Sequence, residues 1–189
     1  MKRSHARGFS LVEVLVSIVV LAIGVIGAAG MQLTALRTSQ YSGQHSSALE
    51  LAAELADRMR SNDEQMRQAD EGNVFLGLNY EAADGAPAAP SADCFANACN
   101  SHELAEFDLY EWLQQLRSRL PGAHVVVCRD SVPWDDAGKR LDWDCDESET
   151  ASLVIKIGWA AKDPGGELTE TVEGASAPQI ALLVAPYVP

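Results

Sequence analysis

Residues 9–31 form an almost unbroken apolar run in which Glu13 is the only charge. No proline interrupts the chain from Phe9 to about Asn62, so the pattern predicts one continuous helix across this stretch. The first part is apolar on every side, as a membrane-spanning helix requires. After Met31 the pattern becomes amphipathic. Leu33, Leu36, Leu49, Ala52, Ala53, Leu55 and Met59 recur at helical spacing, while Glu50, Glu54, Asp57, Arg58 and Arg60 take other faces. Gly72, Gly77 and the Ala/Pro/Gly-rich residues 82–91 predict a loop. Asn100 with Glu103 three residues later predicts a capped helix start. Leu109, Trp112, Leu113, Leu116 and Leu120 form its apolar stripe, which ends at Pro121-Gly122. Strand patterns come late: residues 124–128, 152–159, 179–184 and, more weakly, 168–172. The expected fold class is α+β, a long N-terminal helix carrying a small antiparallel β-sheet head.

The 189 residues are 47% apolar, enough for one head domain with a core of its own. The formal charge is −13, and after Arg7 the chain carries 27 acidic against 11 basic residues. No cluster of Lys and Arg follows that position, so nucleic acid is not an expected partner. The histidines His5, His45, His102 and His124 form no metal-ligand spacing, and no G-x-S-x-G frames a nucleophile. No catalytic residue, metal or cofactor is expected. Cys94, Cys99, Cys128 and Cys145 all lie beyond the apolar run, and an even cysteine count in an exported domain favours disulfides. Three pairings are open; Cys94–Cys99 with Cys128–Cys145 is the one closing the shortest loops. Spacings of C-x4-C and C-x16-C do not supply zinc knuckles. Asp135, Asp136, Asp142, Asp144, Asp146, Glu147 and Glu149 crowd one loop, and the alternation of Asp142, Asp144 and Asp146 resembles the start of a calcium loop. However, Glu147 and Leu153 occupy the positions where such a loop needs glycine and glutamate. A solvated loop tied down by Cys145 is the competing reading. Trp134 and Trp143 flank it as contact or core residues.

The start of the chain carries the sharpest chemistry. Lys2, Arg3 and Arg7 form a basic leader ending at Gly8, Phe9 opens the apolar run, and Glu13 is the fifth residue of that run. A carboxylate within a membrane segment costs a few kcal/mol, so it needs a partner. A secretory signal peptide, with Gly27-Ala28-Ala29 as its cleavage site, fits less well, because the run is too long and is charged. The junction resembles the processing site of type IV pilins and pseudopilins. That resemblance implies cleavage after Gly8 by a prepilin peptidase and N-methylation of Phe9. It also implies charge pairing between Glu13 and the N-terminal amine of an adjoining subunit.

Further matches narrow the likeness. Ala56-Asp57-Arg58-Met59-Arg60-Ser61-Asn62 closes the long helix, and Cys94-Phe95-Ala96-Asn97-Ala98-Cys99 precedes a helix holding Asp108 and Trp112. Leu120-Pro121-Gly122, Cys128-Arg129-Asp130 and Val154-Ile155-Lys156-Ile157-Gly158-Trp159 follow. This succession resembles the PilV family of minor type IV pilins, the pilus modification proteins. It implies a leader at 1–8, a transmembrane part at 9–31, an amphipathic stalk at 32–62 and a periplasmic head at 63–189. The implied partners are the inner membrane before assembly, other minor pilins, the major pilin and a tip-associated adhesin. The implied role is to prime type IV pilus assembly near the tip, supporting twitching motility and adhesion from a cell-surface pilus. A minor pseudopilin of a type II secretion system shares the processing site and is the alternative.

Overall fold

The computed structural model describes residues 10–146, 148, 150–160 and 177–184. A single helix, α1 (Leu11–Ser61), runs for 51 residues, about 75 Å at 1.5 Å per residue. Ser10 caps its start by accepting from Val12 N (3.4 Å), and Arg58 and Arg60 in the last turn suit the negative end of the helix dipole. Its buried residues are Ala48, Leu51, Ala52, Leu55, Ala56 and Met59, all in the final third. Everything from Leu11 to Leu36 is bare. Leu33, Leu36, Leu49 and Ala53, expected on the packed stripe, are exposed. The head makes its first contacts near Tyr41; Ala52, Leu55 and Met59 of the expected stripe are buried beyond it, and Leu51 with the small Ala48 and Ala56 completes the packed seam. Small side chains four residues apart let neighbours approach the helix backbone.

A short helix, α2 (Asp63–Met66), follows directly. Asn62 joins three elements. Its backbone ends α1, its Oδ1 accepts from Gln65 N (3.3 Å), and its Nδ2 donates to Ser101 O (2.7 Å). Strand β1 (Leu78–Glu81) comes next, then α3 (Ser101–Arg119). The capping box at α3 is formed in full: Asn100 Oδ1 accepts from His102 and Glu103 N, and Glu103 Oε2 accepts from Asn100 N. After α3, Gly122 turns the chain at φ +59°; a Cβ there would lie 3.1 Å from that of Ala160.

The remaining strands are β2 (His124–Arg129), β3 (Trp134–Asp135), β4 (Arg140–Leu141), β5 (Leu153–Gly158) and β6 (Ile180–Val184). The main sheet has the order β1-β2-β5-β6 with every neighbour antiparallel, and β3 and β4 form a separate hairpin. Residues 168–172 lie outside the described residues. Val125, Val127, Ile155, Ile157 and Ile180 on one sheet face join Leu51, Leu55, Trp112 and Leu116 in one core. Leu109 is only half-buried at its margin. The α+β class and the long helix carrying an antiparallel head agree with the expected architecture.

Candidate functional site: the bare N-terminal helix and its stapled head

Glu13 stands in the first turn of α1, where a carboxylate suits the positive helix end. It has no ion pair among the described residues, and Ser17 Oγ donates to its backbone carbonyl (2.7 Å). Gly8 and Phe9 lie outside the described residues. α1 is the one described helix long and apolar enough to cross a membrane, and none of its apolar window is buried by the head.

Side-chain bonds lock the head onto the upper end of α1. Arg58 donates from Nη2 to Glu54 Oε1 (2.7 Å) and from Nη1 to Asp108 Oδ1 (2.9 Å), bridging α1 to α3. Burial raises the Asp108 carboxyl above the usual range despite the Arg58 guanidinium beside it. Trp112, fully buried, donates from Nε1 to Leu51 O (2.9 Å). On the head's flank, Arg129 grips Asp70 through two bonds (2.7 and 2.8 Å), and that hydrogen bonding holds the Asp70 carboxyl below its ordinary value.

Cys94 is bonded to Cys99 and Cys128 to Cys145. The second bridge pins the acidic loop across the outer face of the sheet, which is why β5 is buried on both faces. Lys156, in the middle of β5, is completely buried beneath that loop. Its Nζ lies 2.5 Å from Asp130 Oδ2, 2.5 Å from Asp144 O and 3.6 Å from Asp142 Oδ1. Asp144 therefore offers a backbone carbonyl, and Asp142 a carboxylate, to a cation supplied by the fold itself. Among the described residues no group of His, Cys, Asp and Glu is arranged to hold a metal ion. Glu147 and Glu149 lie outside the described residues. Trp143 packs over His124 (ring centroids 3.9 Å apart) and against Gly158, where a Cβ would come within 2.9 Å of the indole. Trp134 is half-exposed.

Residues 3–29 match the prokaryotic N-terminal methylation motif, and residues 30–110 match a family described as Type IV pilin Tt1218. Over these residues the chain is similar to type IV pilins. No curated protein and no solved structure matches it. In a type IV pilin-like protein the motif implies processing by a prepilin peptidase and assembly with other pilins, in a pilus or pseudopilus. Its apolar helix points to membrane anchoring. The family is structural rather than enzymatic. The sheet after residue 110 lies beyond both matches, and its strands rest on the structure.

Sequence reasoning singled out Glu13 and the cysteines but missed Lys156 and the bridging role of Arg58. A signal for Lys156 existed: it is a lone charge inside Val154-Ile155-Lys156-Ile157, a strand otherwise fit for burial. Nothing comparable marked Asn62, whose role depends on two helix ends meeting.

Proposed function

We propose that this protein is a minor pilin. Cleavage after Gly8 removes the leader 1–8 and leaves Phe9 as an N-methylated terminus. Residues 9–31 then hold the chain in the inner membrane as a single pass, with the stalk 32–62 and the head 63–189 in the periplasm. The observation that carries this reading is the bare helix. From Leu11 to Leu36 its apolar side chains touch nothing in the head, and its one carboxylate, Glu13, has no partner among the described residues. Lipid covers such a surface first and the helices of neighbouring subunits cover it later. Glu13 meets the N-terminal amine of an adjoining subunit, which cancels two charges in low dielectric and sets the axial register.

The charge supports a minority role. Loss of Lys2, Arg3 and Arg7 takes the formal charge from −13 to −16, so copies stacked on one another would repel. The protein therefore sits among other minor pilins, above the major pilin and just below a tip-associated adhesin, and primes filament assembly for twitching motility and adhesion. The test is the count of surface pili after deletion of the gene, with and without the retraction motor. Loss of pili that return when retraction is blocked is the expected result. Unchanged pili with exported enzymes trapped in the periplasm would overturn it in favour of a type II secretion pseudopilin.

A further inference from the structure

Phe95 is the most exposed aromatic side chain described in the head, at 84%. Sequence gave no reason to single it out, yet the fold holds it firmly. It lies inside the loop closed by Cys94–Cys99, and its backbone N–H donates to Asp93 Oδ1 (2.9 Å). Its ring stands edge-on to Phe107 of α3, with centroids 4.9 Å apart and planes at 87°. Ser91, on the approach to the loop, donates to Glu106 Oε2 and fastens the segment to the same helix. Phe95, Phe107 and Tyr110 thus line an open notch of about 390 Å³ whose polar wall includes Asp93 and Glu111. Glu111 has no hydrogen bond or ion pair among the described residues, and no Lys or Arg lines the notch.

A rigid aromatic face beside carboxylates suits an ammonium or guanidinium group, which gains from both the ring quadrupole and the negative charge. A second copy of this chain is a poor source of that cation. Its formal charge is −13, so two copies repel, and seven of its ten described Lys and Arg side chains already lie within 4.0 Å of a carboxylate of their own chain, leaving only Arg37, Arg117 and Arg140 of the ten outside such pairs. We propose that the Phe95 notch is a docking site for a Lys- or Arg-bearing segment of a different protein. The assignment stands on the head alone and does not depend on the minor-pilin reading.

The full-length chain in detergent micelles is titrated with acetyl-Ala-Arg-Ala amide, acetyl-Ala-Lys-Ala amide and acetyl-Ala-Leu-Ala amide, with ring resonances of Phe95, Phe107 and Tyr110 followed by NMR. Saturable shifts with the two basic peptides and none with the leucine peptide are expected. Phe95→Ser should weaken binding about two- to fivefold, as loss of an exposed cation–π contact does. Glu111→Gln should weaken it and flatten its salt dependence. In cells, a photo-crosslinking phenylalanine analogue at position 95 should link to a Lys- or Arg-bearing segment of another protein. No peptide selectivity, or crosslinks to lipid or to a second copy of this chain, would overturn the proposal. Both variants change exposed or half-exposed side chains, and unaltered thermal melting checks that they fold.

Discussion

Lys156→Met probes the outer layer of the head most sharply. Methionine preserves much of the apolar stem but removes an ammonium that is fully buried and sits 2.5 Å from Asp130 Oδ2. Asp130, itself only 4% exposed, would keep one donor, Val132 N at 2.9 Å from Oδ1. Asp144 O would lose its buried donor, and Asp142 a neighbouring charge at 3.6 Å. Breaking a buried ion pair from one side costs about 3–5 kcal/mol, because the surviving charge is left without its counter-charge. Replacing both partners costs much less, so Lys156→Met with Asp130→Asn should recover at least about 2 kcal/mol of that loss. The assay is urea unfolding of the full chain in micelles, disulfides intact, read by tryptophan fluorescence and compared at equal slope. A single-variant cost below about 1 kcal/mol, or a double variant no better than the sum of its singles, would refute the placement of Lys156 as the loop's internal cation.

Three further outcomes follow from the same geometry. Glu13→Gln should leave the head's melting unchanged but lower the amount of chain recovered in filaments, and normal recovery would remove the charge-pairing role. Burial lowers the basicity of His124, outweighing Glu81 and Asp84, so its neutral form adds stability above the ordinary value of 6.5 that is lost as pH falls through the folded value. His124→Gln should therefore flatten the decline of melting temperature between pH 6.5 and 5, and an identical slope would contradict this. Replacing Cys128 and Cys145 together by serine, which opens a loop with a sequence separation of 17, should cost about 3 kcal/mol by loop-closure entropy, seen as a lower urea midpoint.

The long helix was legible from its pattern, the start of α3 from the capping residues Asn100 and Glu103, and strands β2, β5 and β6 from β-branched, partly alternating or apolar runs of five or more residues. Strand β1 was not. It has four residues, half-exposed and alternating, and it exists because it pairs Leu78 to Glu81 with the edge of β2. The two-residue strands β3 and β4 carry no period at all; Asp135, accepting from Ala137 and Gly138 N, makes their turn. On α1 the predicted stripe was right at Ala52, Leu55 and Met59 but was drawn too far toward Leu33, Leu36 and Leu49, whereas the packed seam adds Leu51 and the small Ala48 and Ala56. Periodicity weighs hydrophobicity, but close approach to a helix selects small size. At the site, Glu13 stood out because charge is rare in an apolar run, and Gly8 because it ends a basic leader directly before that run. Lys156 and Phe95 depend on which loop crosses which face, and that information is tertiary.

The central claim, a processed pilin that enters a surface filament, is tested most directly by intact-mass spectrometry of this chain in sheared surface pili. The account predicts a species that lacks residues 1–8 and carries one methyl group on Phe9, present in far smaller amount than the main subunit. A chain of full length that remains in the membrane fraction and is missing from the filaments would contradict it.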